Sequence, residues 1–191
     1  MSFYRRNLPH WHPRGAALFI TWRLDGSLPR SFRVPVGPAV EKERAGRAFR
    51  ALDAVLDAAA SGPVWLKQPR IASLVVSTLR RGDSHQNLYR LAAFVVMPNH
   101  VHVLLVPLAT APRITQWIKG NTARQANRLL GRAGALFWQH ESYDHWARNE
   151  EEYQRIVRYI EFNPVAAGLA TTIEQWPWSS AYVAPASIQA R

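Results

Sequence analysis

A chain of 191 residues that is 48% hydrophobic carries enough apolar material for one domain with a real core, which excludes a disordered or repetitive polypeptide. It contains no cysteine, so disulfides, thiolate nucleophiles and thiolate-held zinc are excluded, and the composition fits a reducing compartment. With 24 Lys and Arg against 13 Asp and Glu the formal net charge is +11, which points to a polyanionic partner.

The opening residues, Met1 to Arg6, lack the apolar run of a signal peptide, and no stretch is long and apolar enough to span a bilayer, so a cytoplasmic location is expected. Arg5 and Arg6 begin a proline-bearing basic arm, residues 1–13, that can lie along nucleic acid. Residues 16–24 are rich in strand formers and predict a first strand. A loop from Asp25 to Pro38 follows.

From Ala39 to Ala60, Phe49, Leu52, Val55, Leu56 and Ala59 recur at helical steps, with Arg44, Arg47, Arg50 and Asp57 mostly off that stripe; Ser61-Gly62-Pro63 ends this helix. A second helix runs from Pro69 to Arg80-Arg81, stopped by Gly82. Two strand-length apolar runs within residues 91–106 meet at Met97-Pro98-Asn99-His100, which reads as a β-hairpin. Alternate residues of a strand share a face, so His100 and His102 project to one side, about 7 Å apart at Cα, and can converge on one cation. Val101, Val103 and Leu105 project to the other side.

Residues 112–130 form a third helix whose Lys119, Arg124 and Arg128 are candidate phosphate contacts. No Asp or Glu occurs between Ser84 and His140, which favours a phosphate-bearing substrate for a metal site there. A loop holding Tyr143 leads to Asn149, an N-cap with Glu152 three residues on, and this last helix is expected to stop at Asn163-Pro164. Tyr153, Ile156, Val157 and Ile160 make its core stripe, with Tyr159 and Asn163 one turn apart on one flank.

Met97-Pro98-Asn99-His100-Val101-His102 followed by Tyr159-Ile160-Glu161-Phe162-Asn163-Pro164 resembles the single-tyrosine HUH transposases of the IS200-like group, above all the REP-associated tyrosine transposases. Further similar segments are Arg6-Asn7-Leu8-Pro9-His10-Trp11, Trp138-Gln139 with Asp144 and Arg148, and Trp176-Pro177-Trp178-Ser179-Ser180, so the likeness runs from about residue 5 to about residue 182. The resemblance implies a single α+β domain over residues 1–191. Its sheet would be antiparallel and ferredoxin-like or RRM-like, over a core of about 14–182 followed by a short tail, 183–191. It also implies that Tyr159 is the nucleophile, that His100, His102 and Asn163 hold the metal, and that the chain acts on single-stranded hairpin DNA as monomer or homodimer. A histidine-rich site by itself suggests zinc, whereas the family implies Mg2+ or Mn2+. Two rivals remain at this stage: an RRM-like binding protein stacking bases on Trp22 and Phe94, and a zinc hydrolase.

Overall fold

The computed structural model describes residues 15–29, 31–33 and 41–184, with the backbone alone for 41–45, so Arg5, Arg6 and the end of the tail lie outside the described residues. Four strands, β1 (Leu18–Arg23), β2 (Tyr89–Val96), β3 (His100–Pro107) and β4 (Tyr143–Trp146), form one sheet in the order β2-β3-β1-β4. Every neighbouring pair is antiparallel. The helices are α1 (Glu41–Ala58), α2 (Pro69–Ser84), α3 (Ala111–Leu129) and α4 (Glu150–Ala166), and the whole is the expected α+β, ferredoxin-like arrangement. Among the described residues no helix is long and apolar enough to cross a membrane.

Strand alternation divides the core in two. Leu18, Ile20 and Trp22 of β1 join Val101, Val103 and Leu105 of β3 on one face, packed by Ile71, Val75 and Leu79 of α2 and Ile114, Ile118 and Ala126 of α3. On the other face Phe19, Val95 and Leu104 meet Ile156 and Ile160 of α4. Because both faces are covered, Trp22 and Phe94 are core side chains, 2% and 4% exposed, and offer no base-stacking platform.

The hairpin forms as expected: Val96 pairs with Val101, and the Met97 N–H donates to the His100 carbonyl at 2.9 Å, closing Pro98-Asn99 into a tight turn. The free edge of β2 is covered by the segment after α4, where the Val96 N–H donates to Trp178 O at 2.8 Å and the Ser180 N–H to Phe94 O at 2.9 Å. Along Phe94 to Val96 the edge so covered cannot pair with another chain's strand.

Three boundaries differ from the sequence expectation. Residues 143–146 are the strand β4 rather than loop, with Tyr143 paired to Thr21. Helix α4 begins at its Asn149 cap, which accepts from the Glu152 N–H at 2.8 Å, but it runs past Pro164 to Ala166. A proline in the last turn forfeits one helical bond, and the end is set by Gly168 at φ 69, whose own N–H reaches Val165 O while the Leu169 N–H reaches Pro164 O. Helix α2 runs through Gly82 to Ser84, because that glycine makes room for a ring instead of stopping the helix. A Cβ at position 82 would lie 2.1 Å from the Tyr89 hydroxyl, which is buried and donates to Leu79 O at 2.8 Å.

Gly82→Ala therefore overpacks this contact. Chemical denaturation should show it to be less stable by about 1–3 kcal/mol, and an unchanged midpoint would remove this account of Gly82.

Candidate metal centre and tyrosine

The register between β1 and β3 sets the site. Thr21 lies opposite His102 and Arg23 opposite His100, and both imidazoles are fully buried on the sheet face that carries α4. Asn99 donates through Nδ2 to Leu56 O at 3.0 Å, so its Oδ1 must accept from His100 Nδ1 at 2.7 Å. That assigns the proton to Nδ1 and leaves a lone pair on His100 Nε2. His102 Nδ1 is bound to Thr21 Oγ1 at 2.7 Å, and the two Nε2 atoms face one another at 3.0 Å. Burial, reinforced by His102, holds the His100 pKa well below its ordinary 6.5, so this ring stays neutral and able to bind a cation.

Helix α1 lies over this pair. Its Phe49, Asp53, Leu56 and Asp57 recur at helical spacing, and Asp53, only 4% exposed, points at the histidines. Asp53 Oδ1 is 3.2 Å from His102 Nε2 and 3.8 Å from His100 Nε2, while Asp57 Oδ1 is 3.5 Å from His100 Nε2. The ligand atoms of Asp53, His100 and His102 all lie within 4.8 Å of one another. Burial, together with the neighbouring Asp53 charge and opposed by His102, raises the Asp57 carboxyl to about 7. The sequence reading placed Asp57 mostly off the helix stripe and did not single out Asp53. Two aspartates at i and i+4 beside an apolar stripe were the available signal.

Tyr159 reaches the site from α4. Its hydroxyl donates to Asp53 Oδ2, and its ring lies 5.6 Å from the His102 ring and packs edge-on against Phe19 and Phe49 at 6.1 Å each. Tyr143 stacks on Phe49 at 4.4 Å, so it belongs to the same aromatic cluster, and burial raises its pKa. Tyr153 packs against the core stripe as expected.

Asn163, one turn beyond Tyr159, is 3% exposed and its Oδ1 has no hydrogen-bond partner among the described residues. Asp53 Oδ1 and Asp57 Oδ1 share that condition. Buried polar oxygens are rarely left unpaired, and two imidazole nitrogens beside carboxylate oxygens are a donor set for a divalent cation. The residues present therefore fit a metal ion.

The basic candidates of the third helix are placed elsewhere. Helix α3 packs on the sheet face opposite the histidines, with Arg124 and Arg128 exposed. Lys119 is turned inward: its Nζ donates to Gln139 O at 2.6 Å, His140 O at 2.9 Å and Ser142 Oγ at 3.3 Å. Within the acid-free stretch the basic residues of α3 thus lie on one face of the sheet, while His100 and His102 meet the acids of α1 on the other.

Comparison with known proteins matches residues 73–163 to the family described as Transposase IS200 like. A REP-associated tyrosine transposase of Escherichia coli (strain K12) is 28% identical over 95 residues, 48% of this chain and 54% of that protein. A relative in Haemophilus influenzae is 28% identical over 105 residues, covering 58% of its length, so this chain spans little more than half of these curated relatives. A solved structure of a REP-associated tyrosine transposase bound to a REP hairpin superposes with a TM-score of 0.54 and 22% identity, over 94% of this chain and 82% of the other. At that identity the likeness establishes the fold.

Burial, with Arg23 nearby, lowers the Lys119 pKa from an ordinary 10.5 to about 8. Between these values the unfolded chain holds a proton that the folded chain does not, so stability rises with pH across that window. Denaturation of wild type against Lys119→Met should show the wild type gaining relative stability from pH 8 to pH 10.5, and a constant difference would contradict it.

Proposed function

We infer that this chain, which belongs to the IS200-like transposase family through residues 73–163, cleaves and rejoins single-stranded, hairpin-forming DNA of the REP type through a covalent bond to Tyr159. The observation that carries this reading is the convergence of the Tyr159 hydroxyl with His100 and His102 on Asp53, three elements distant in sequence meeting at one point. The net charge of +11 suits a polyanionic strand.

The geometry supports the following assignment of roles. Tyr159 is the nucleophile, its ring packed against Phe19 and Phe49, 5.6 Å from the His102 ring, with its hydroxyl on Asp53 Oδ2. As the bond from Tyr159 Oη to phosphorus forms, the phenol gives up its proton and the bond from phosphorus to the 3′ oxygen breaks. The electron pair goes to that oxygen, which takes up a proton and leaves as a 3′-hydroxyl. The 5′ phosphate stays on the tyrosine, and attack by a 3′-hydroxyl reverses the step with no high-energy cofactor. His100, His102 and Asn163 are assigned to hold a divalent ion, which supplies positive charge to the non-bridging oxygens of the phosphodiester, and the carboxylates beside them favour Mg2+ or Mn2+ over zinc. Thr21 and Asn99 fix the two ring orientations. Arg124 and Arg128, exposed on the far face, are assigned to the paired stem of a hairpin rather than to the cleaved strand. Arg5 and Arg6 are assigned to the same electrostatic task from the N-terminal arm.

A binding protein without chemistry has no use for a tyrosine hydroxyl held on a carboxylate that faces two buried histidines, and a hydrolase would place water there. The test is a denaturing gel with end-labelled hairpin DNA, with and without Mn2+. Wild type should give a protein–DNA adduct that survives denaturant. Tyr159→Phe should abolish the adduct while hairpin binding persists, and the double His100→Ala, His102→Ala variant should also give none. An adduct from Tyr159→Phe would end the proposal for this residue.

A further inference from the structure

Helix α1 lies outside the segment matched to the transposase family, which begins at residue 73, yet it contributes the side chain that touches both halves of the site. Asp53 divides its two oxygens. One, Oδ2, accepts the Tyr159 hydroxyl; the other, Oδ1, is buried without a hydrogen bond among the described residues and faces His102 Nε2 at 3.2 Å and His100 Nε2 at 3.8 Å. With the Asn99 amide placing the His100 proton on Nδ1, no proton of that ring points toward Asp53. A carboxylate oxygen without a hydrogen bond among the described residues, beside the His100 lone pair, is a place where a bound cation would join the two.

We propose that Asp53 is shared between the metal and the nucleophile: Oδ1 joins His100 and His102 as a ligand of the divalent ion, and Oδ2 holds the Tyr159 hydroxyl beside it. This rests on the metal-dependent cleavage proposed above and adds α1 to the machinery. Asp53 is then a metal ligand and a positioning residue for Tyr159. Asp57 is the weaker candidate on three counts: its Oδ1 approaches His100 alone, at 3.5 Å; its side chain is 22% exposed; and no hydrogen bond from Tyr159 reaches it.

The experiment measures Mn2+ binding to the full chain without DNA, by titration calorimetry and by electron paramagnetic resonance of the free ion. Wild type should bind Mn2+, and Asp53→Asn should weaken binding by at least about tenfold. Asp57→Asn should cost less than Asp53→Asn, and the reverse order would overturn the assignment. Each variant's fold is checked by circular dichroism, and Asp53→Ser, which also removes the charge, serves if the asparagine variant does not fold.

Single-turnover adduct formation at saturating Mn2+ reads the second half of the proposal. Asp53→Asn should slow the covalent step without a matching loss of hairpin affinity, whereas an unchanged rate would overturn the positioning role. Equal Mn2+ affinity in wild type and Asp53→Asn would overturn the ligand role and leave the broader reading standing. No Mn2+ binding by wild type would overturn both.

Discussion

The site depends on strand register. Side chains alternate with a period of two, so sliding β3 by one residue against β1 would turn both histidines into the α2 and α3 layer and expose Val101 and Val103 to the α1 and α4 side. What prevents this is apolar: Leu18, Ile20 and Trp22 align with the inward residues of β3 in a core that tolerates no slip. Burial on one face therefore fixes chemistry on the other. Thr21, opposite His102, is the point where that pairing becomes a hydrogen bond to an imidazole.

A ferredoxin-like sheet ordinarily covers one face with its two crossover helices, and α2 and α3 do that here. The second face is closed by α4 and α1, one carrying the phenol and the other the carboxylates. Buried polar groups without partners are costly, and among the described residues the unpaired oxygens include those of Asp53 and Asp57, gathered here, and that of Asn163 on α4. Stability and function pull in different directions at this face. The apolar contacts of Phe19, Ile156 and Ile160 keep α4 in place while the polar atoms they surround remain short of partners.

Much of the fold could be read from the chain because its signals are local. The hairpin is announced by Pro98-Asn99 between two apolar runs, α4 by its Asn149 cap, and the histidine pair by its spacing within one strand. Tyr159 and Asn163 could be placed side by side since one helical turn separates them. Asp53 escaped notice because a carboxylate on an amphipathic helix normally marks a solvated face, and only tertiary contact shows which way α1 is turned. The basic run of α3 misled in a similar way: adjacency in sequence to the histidines suggested adjacency in space, yet the strand-to-helix crossover carries α3 to the opposite layer. Tyr143 was missed as a strand residue because β4 is four residues long and takes its definition from pairing with β1. Gly82 and Pro164 look like helix breakers in isolation. Their actual roles, clearance for Tyr89 and a tolerated place in a final turn, depend on neighbours the linear pattern does not contain.

Asn99 is a coupling pin as well as a turn residue. The same carboxamide grips the last turn of α1 through Leu56 O and steers the ring of His100 through Oδ1. Were α1 to swing outward, the amide would lose the anchor that dictates its orientation, and with it the imidazole would lose its assigned tautomer. The lid over this chamber and the aim of its first histidine are thus mechanically geared, and opening at that end disarms the chamber at the same stroke.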